Sequence, residues 1–207
     1  QNAKPIVPIF FAVDDNYAPY LAVAMRSLID NASPDYQYNI YVLIDKLSSE
    51  SCANLCAMAK DNVRIETVDV RAKLDALSDM LHLRDYYTKT TYYRFFIGEM
   101  FPQYDKAIYI DSDTVVQGDI SRLYHTDIGE LYLGACHEQA MVQVYEYGTY
   151  VEKVVGVDRN LFLCNVGWIK LPPYFFSDSL YDLKNKAYEK YDVSCYINLL
   201  PAASLAI

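Results

Sequence analysis

Short apolar runs alternate with helical patterns along the first third of the chain. Residues 5–13 and 38–44 have the length and apolar content of β-strands, and residues 63–70 show the alternation of a third strand. Between them, residues 18–31 carry apolar side chains at the three- and four-residue spacing of an amphipathic helix, and residues 48–60 open with Ser-Ser-Glu, a capping arrangement that predicts a second helix. This β-α-β-α-β succession predicts a parallel sheet with helices packed against it.

A mostly apolar run at residues 106–116 lacks the alternation of a strand with one wet face. Such a run predicts a strand that is buried on both faces. Aromatic residues at helical spacing predict a helix over residues 88–100, and further strands are expected at 131–136 and 161–169. The other segments are predicted to be a loop or short helix at 71–84, a short helix at 120–125, a helix or loop at 139–155 and a helix at 177–190.

No repeat, low-complexity tract or linker divides the 207 residues. We therefore expect one domain of the α/β class, with a mixed, mostly parallel sheet flanked by helices. No apolar stretch approaches the roughly 20 residues that span a bilayer, and no signal sequence begins the chain, so we expect a cytoplasmic protein. A net charge of −9 disfavours nucleic acid as a partner.

Two carboxylates stand where the 106–116 strand is expected to end. Asp111 and Asp113 flank a single small residue, and ligands of open α/β sheets bind at the carboxyl ends of the strands. Two carboxylates so close repel each other unless they are paired, so a hard divalent cation is their simplest partner. The alternative is that Asp-Ser-Asp serves only as a turn or a helix cap.

A second polar cluster follows the first predicted strand. It contains Asp14, Asp15, Asn16 and Tyr17. In a doubly wound sheet, the ends of this strand and of the 106–116 strand open onto one crevice. The alternative is that Asp14 or Asn16 only caps the helix that follows.

Five short motifs occur along the chain in a definite order. They are FAVDDNY at 11–17, TTYYR at 90–94, YIDSDTVV at 109–116, LGA at 133–135 and CNVG at 164–167. This ordered set resembles the family 8 retaining glycosyltransferases, the group of bacterial lipopolysaccharide sugar transferases and glycogenin. The resemblance covers residues 6–171, roughly four-fifths of the chain.

The resemblance implies a GT-A fold, which is a Rossmann-like nucleotide-sugar-binding architecture. It also implies that Asp111 and Asp113 form a DxD motif that coordinates Mn²⁺, or Mg²⁺, against the diphosphate of a uridine diphosphate (UDP) sugar. Oxygen ligands suit both cations, and a metal allows an acidic protein to hold an anionic substrate.

By the same resemblance, further residues are expected around the bound sugar nucleotide. Asp14 and Asn16 would hydrogen-bond the uracil and Tyr17 would stack on it. The complete set of implied contacts to the donor sugar nucleotide is Ala12, Asp14, Asn16, Tyr17, Thr91, Arg94, Ser112, Asn165 and Gly167. Glu138 falls where relatives carry an acidic residue that faces the acceptor.

Two family motifs have no counterpart in this sequence. Relatives carry an Asp-Gln-Asp segment and a later histidine motif that supplies the third metal ligand. Either the chain lacks its carboxy-terminal part, which the apolar tail at 197–207 favours, or it is a defective relative. The catalytic residue and the third metal ligand therefore stay unassigned.

The resemblance implies a metal-dependent retaining transferase that moves glucose or galactose from UDP-glucose or UDP-galactose. The acceptor would be a glycan or a lipid-linked saccharide, in lipopolysaccharide biosynthesis. Contact with the inner face of the plasma membrane is expected only if a missing carboxy-terminal segment supplies it.

Two other functions compete with a transferase. In a haloacid-dehalogenase-type phosphatase, Asp111 would be the nucleophile and Asp113 the general acid/base. Against this, three predicted strands precede Asp111, whereas that motif normally follows the first strand of its domain. The other alternative is a non-catalytic sugar-nucleotide-binding module, which would fit the two missing motifs.

Overall fold

Among the residues that the structure describes, six strands form one sheet, and helices lie on both of its faces. The computed structural model describes residues 3–76, 90–129, 133–137 and 163–170, together with residues 145, 149, 152 and 153. The strands are β1 Ile6–Ala12, β2 Gln37–Ile44, β3 Val63–Asp69, β4 Lys106–Tyr109, β5 Leu133–His137 and β6 Leu163–Lys170. The helices are α1 Ala18–Asp30, α2 Ser49–Cys56, α3 Arg71–Ala76, α4 Thr90–Tyr93, α5 Ile97–Met100 and α6 Ser121–Tyr124, with a 3-10 turn at Arg94–Phe96.

The strand order is β3-β2-β1-β4-β6-β5. The first four strands run parallel: β1 pairs with β2 on one side and with β4 on the other, and β3 pairs with β2. The predicted parallel sheet is therefore confirmed. Because parallel strands end at the same edge of a sheet, the segments that follow β1, β2, β3 and β4 share one edge, which we call the carboxyl edge.

The two faces of β1 belong to two hydrophobic clusters. Ile9 and Phe11 pack with Leu21 of α1 on one face, and Phe10 packs with Ile97 of α5 on the other. Burying each side chain of this size contributes roughly 1.5–3 kcal/mol. Helices on both faces explain why β1 is a continuous apolar run without alternation.

The second helix is shorter than predicted. Its amino end is confirmed, because the Ser51 N–H donates to the Ser48 side chain at 3.2 Å. The helix ends at Cys56 instead of Lys60, because Lys60 and Val63 exchange two backbone hydrogen bonds, of 3.2 and 2.8 Å, across a tight turn. Asp61 in this turn has a φ of 49°, outside the range of a helix.

The helix predicted over residues 88–100 is interrupted. Within its described part, α4, the 3-10 turn and α5 follow one another directly. The sequence TTYYRFFIG contains β-branched, aromatic and glycine residues, which are weak helix formers. Packing of Phe96 and Ile97 into the core therefore sets the local geometry.

The strand predicted over residues 106–116 ends at Tyr109. The Ile110 N–H still donates to the Phe10 carbonyl at 3.0 Å before the chain turns at Ser112 and Asp113. The carboxylates therefore stand in a turn at the carboxyl edge, directly after the strand.

The last two strands make the sheet mixed. β6 is antiparallel to β4, with Tyr109 opposite Gly167, and β5 is antiparallel to β6. β6 lies between β4 and β5, so the strand that is later in sequence is nearer the centre.

Some predictions concern residues that the structure describes only in part or not at all. A loop or short helix was predicted at 71–84, and its described part, residues 71–76, is helix α3; the short helix predicted at 120–125 is confirmed as α6. The helix at 177–190 and most of 139–155 lie outside the described residues. Within the described part of the chain, no helix combines the length and the apolar character needed to cross a bilayer.

Candidate functional site

A buried hydrogen bond joins the ends of β1 and β4. The Ser112 hydroxyl donates to the Ala12 carbonyl at 2.7 Å, and Ser112 is only 7% exposed. These residues are 100 positions apart in sequence. The bond brings the two polar clusters predicted from the sequence to neighbouring positions on the carboxyl edge.

The turn that carries the carboxylates is held at three further points. The Thr114 hydroxyl donates to the Asp111 carbonyl at 2.9 Å. The Val116 N–H donates to the Ser27 hydroxyl of α1 at 2.9 Å, and the Asn31 side chain donates to the Val116 carbonyl at 3.0 Å. The backbone of residues 111–116 is therefore fixed against α1.

Arg94 lies beside the first carboxylate. Its guanidinium is 3.4 Å from Asp111 Oδ1, and the two side chains are 14% and 15% exposed. The guanidinium carbon also lies 4.2 Å from the centre of the Tyr109 ring. Arg94 is thus in a mostly buried ion pair.

Burial also shapes the chemistry of Tyr109. It raises the pKa of the Tyr109 hydroxyl, which the Arg94 charge opposes and the Asp111 carboxylate reinforces. The phenol therefore stays protonated in the physiological range.

The loop after β1 presents one fixed carboxylate and one exposed ring. The Tyr17 N–H donates to Asp14 Oδ1 at 3.0 Å, so Asp14 stabilises the turn that precedes α1, whose N-cap residue is Tyr17. Tyr17 is 48% exposed, and its ring lies 5.6 Å from that of Tyr20. Asn16 is exposed on the same loop.

Asp15 has a different role from its neighbours. Its carboxylate accepts hydrogen bonds from the Ser48 N–H, the Ser48 hydroxyl and the Ser51 hydroxyl. The Ser48 N–H and the two serine hydroxyls lower the pKa of this carboxyl. Asp15 therefore joins the β1 loop to the first turn of α2.

Two further residues near this edge, Asp45 and Tyr93, were given no role by the sequence patterns. Asp45 directly follows β2, and its Oδ1 is buried without a hydrogen-bond partner among the described residues. Burial raises the pKa of Tyr93, and the Asp45 and Asp14 carboxylates raise it further. The position of Asp45 after a parallel strand, the same as that of Asp14, was the signal that could have identified it.

The remaining predicted site residues are only partly described. Gly167 lies on β6 opposite Tyr109. Asn165 precedes Gly167 by two residues on this antiparallel strand, so it lies toward the carboxyl edge, where Asp111 follows β4. Thr91 lies in α4, three residues before Arg94. Glu138 lies outside the described residues.

The side chains at the turn fit an oxygen-preferring cation. Asp113 is partly buried, and no hydrogen bond or ion pair holds its carboxylate in the described part of the chain. Within that part, no group of three or more histidine, cysteine or acidic residues gathers as a ready metal site. Two carboxylates without a full protein cage suit Mg²⁺ or Mn²⁺, which keep positions for water and substrate phosphates.

Comparison with known proteins gives the context of this geometry. Residues 8–160 match the family model described as glycosyl transferase family 8. A putative glycosyltransferase of Haemophilus influenzae is 31% identical over 134 residues, which are 63% of this chain and 38% of that protein. The lipopolysaccharide 1,2-glucosyltransferase of Escherichia coli K12 is 24% identical over 125 residues, which are 60% of this chain and 36% of that protein. The chain thus spans less than two-fifths of the length of these two curated relatives.

The fold has solved counterparts. The crystal structure of the galactosyltransferase LgtC, in complex with donor and acceptor sugar analogs, superimposes with a TM-score of 0.68 at 26% identity. The match covers 91% of this chain and 66% of that one. The predicted GT-A fold is therefore confirmed. Since the family model matches well over half of the residues, the chain belongs to glycosyl transferase family 8.

Proposed function

We propose that the protein is a metal-dependent retaining glycosyltransferase that moves glucose or galactose from a UDP-sugar to a glycan or lipid-linked saccharide. One observation carries the proposal. At the carboxyl edge, Arg94 pairs with Asp111 while Asp113 is not held by a hydrogen bond or ion pair in the described part of the chain. One cation and two carboxylates at such an edge are suited to a metal-bound diphosphate.

The two carboxylates would hold Mn²⁺ or Mg²⁺ in this proposal. When bound, the cation would stabilise the negative charge of the departing diphosphate. Arg94 would supply a second positive group beside it, to the phosphates or to the sugar. The protein has a net charge of −9, so local positive charge is needed to attract a diphosphate.

The loop after β1 would receive the base. Asp14 and Asn16 would hydrogen-bond the uracil, and the exposed ring of Tyr17 would stack on it. One oxygen of the Asp14 carboxylate accepts the Tyr17 N–H, which leaves the second oxygen for the base. Thr91, Asn165 and Gly167 would complete the contacts to the donor, and Glu138 would face the acceptor.

The names of the relatives support the choice of sugar. The Escherichia coli relative is named a glucosyltransferase, and LgtC is a galactosyltransferase. The same names suggest a saccharide acceptor such as a lipopolysaccharide precursor. The phosphatase alternative is set aside, because the chain belongs to family 8 and because β4 is the fourth strand of its sheet.

Titration of the full-length protein with UDP-glucose and UDP-galactose, with and without Mn²⁺, tests the proposal. We expect binding that requires the metal, and slow release of UDP even without an acceptor. Absence of both metal-dependent binding and donor hydrolysis would reject the transferase. Tight binding without turnover would instead indicate a sugar-nucleotide-binding module.

A further inference from the structure

We propose that Tyr109 is a positioning residue whose buried ring face holds the Arg94 guanidinium in place beside Asp111. The inference rests on the proposed function, in which Arg94 binds the donor sugar nucleotide. Tyr109 itself would touch neither the donor nor the metal. Its effect on binding would pass through Arg94.

The contact geometry indicates that the ring orients the cation. The guanidinium carbon is 4.2 Å from the ring centre, within the range of a cation–π interaction. Its closest approach to Asp111 is 3.4 Å, beyond the usual length of a charge-assisted hydrogen bond. An ion pair of this length restrains the distance between guanidinium and carboxylate more than the orientation of the guanidinium. Stacking on an aromatic ring, in contrast, fixes the plane of the guanidinium.

The position of Tyr109 at the carboxyl end of β4 explains why its ring lies close to Asp111. Tyr109 is the last residue of β4 and Asp111 follows it in the turn, and Arg94 contacts both side chains. Tyr109 is 4% exposed and packs in the cluster that contains Tyr93 and Ile97. These two residues flank the 3-10 turn that carries Arg94, so both ends of the turn are anchored to the core that holds the ring.

The strand next to β4 carries a glycine beside the ring. Gly167 is the cross-strand partner of Tyr109, and side chains of such partners share one face of a sheet. Glycine has no side chain, so β6 contributes none at this register position. The Arg94 guanidinium lies over the Tyr109 ring.

A low dielectric strengthens the arrangement. Cation–π contacts gain most when both partners are removed from water, as these are.

The test varies the ring electronics at nearly constant shape in the full-length protein. Tyr109 is replaced by phenylalanine and then by phenylalanines of increasing ring fluorination, which weakens the cation–π attraction stepwise. Calorimetry measures the affinity for UDP with Mn²⁺. We expect Tyr109→Phe to stay within about twofold of the wild type, the affinity to fall with each step of fluorination, and Tyr109→Leu to lose about fivefold or more.

A double-mutant cycle asks whether the effect passes through Arg94. If it does, Tyr109→Leu adds little to the loss caused by Arg94→Gln, because the ring then has no cation to hold. Fully additive losses, or no trend with fluorination, would overturn the inference. Tyr41→Leu is the matched control, since Tyr41 is also a buried strand tyrosine in the same cluster but contacts Phe10 and Phe101.

A second measurement needs no ligand. The side-chain N–H resonance of Arg94, assigned through Arg94→Gln, should be shifted by the ring current of Tyr109 and should move in Tyr109→Leu. An unmoved resonance would overturn the inference even if UDP binds. A wild type that shows this shift but binds no UDP with Mn²⁺ would reject the proposed function alone.

Discussion

Asp113 and Asp111 differ in how their carboxylates are held. Asp111 is paired with Arg94, and its own carbonyl accepts the Thr114 hydroxyl. Asp113 lies in the same turn, and no hydrogen bond or ion pair holds it in the described part of the chain. A carboxylate without a protein partner is the one we expect to depend most on a cation.

Replacing Asp113 with alanine should abolish metal-dependent binding of the donor without unfolding the protein. The loss should exceed the roughly 10- to 100-fold that removal of an outer partner of a metal ligand causes, because a ligand itself is lost. Calorimetric titration of UDP-sugar with and without Mn²⁺ measures it, and circular dichroism checks the fold.

Asp105→Ala is the matched control for this change. Asp105 precedes β4 at the opposite edge of the sheet, so its removal changes the net charge equally but leaves the turn intact. Equal losses in both variants would mean that overall charge, and not a ligand at position 113, explains the result. Unchanged affinity of Asp113→Ala in Mn²⁺ would refute the assignment.

Some residues make contacts in the structure that the sequence did not predict. Ala12 and Ser112 were predicted only as donor contacts, yet in the structure they hydrogen-bond to each other. No role was predicted for Asp45, Tyr93 or Tyr109. The position of Asp45 directly after a strand was a local signal, whereas the roles of Tyr93 and Tyr109 depend on neighbours that are distant in sequence.

Helix α6 is joined to the sheet by one carboxylate. Asp119 accepts hydrogen bonds from the Tyr38 hydroxyl of β2 at 2.5 Å, and from the Ser121 hydroxyl and N–H at 2.5 and 3.0 Å. Burial alone would raise the pKa of Asp119. The hydrogen bonds from Ser121 and Tyr38 outweigh it, so the pKa lies below the ordinary value of 3.8.

Asp119→Asn should therefore destabilise the fold in a pH-dependent way. The ionised carboxylate stabilises the folded state fully above the unfolded pKa of 3.8, and this stabilisation is lost as the pH falls through the lower folded pKa. We expect the variant to be about 1–2 kcal/mol less stable at pH 7 and the difference to shrink below pH of about 4. Urea unfolding at pH 7 and at a pH below about 4 measures the difference in the free energy of unfolding.

Asp127→Asn provides the comparison. Asp127 is exposed, and its carboxylate accepts the Gly129 N–H at 2.8 Å. This substitution should change the free energy of unfolding by no more than about 0.5 kcal/mol at either pH. A difference for Asp119→Asn that stays constant down to acid pH would show that the lost carboxylate is not the cause.

The arrangement of the whole sheet sets the order of local stability. β1 is flanked by β2 and β4, and six of its seven residues are buried. β3 lies at the end of the strand order and only its first residue, Val63, is buried. Strands with few buried contacts open more readily than central ones.

Hydrogen exchange followed by mass spectrometry should show this order. We expect the amides of β1 to exchange at least on the order of tenfold more slowly than those of β3. Faster exchange in β1 than in β3 would contradict the central position of β1 in the fold.

Local patterns in the sequence were enough to predict the order of strands and helices, the parallel first half of the sheet and the positions of Asp14, Asp111 and Asp113 at strand ends. These features follow from apolar runs and turn residues, which act over a few neighbouring positions. The breaks in the 88–100 helix, the early end of α2 and the place of β6 between β4 and β5 could not be predicted in this way. The contact of Arg94 with Tyr109 and Asp111 belongs to the same group, because burial, strand pairing and a low dielectric exist only once distant segments have packed together.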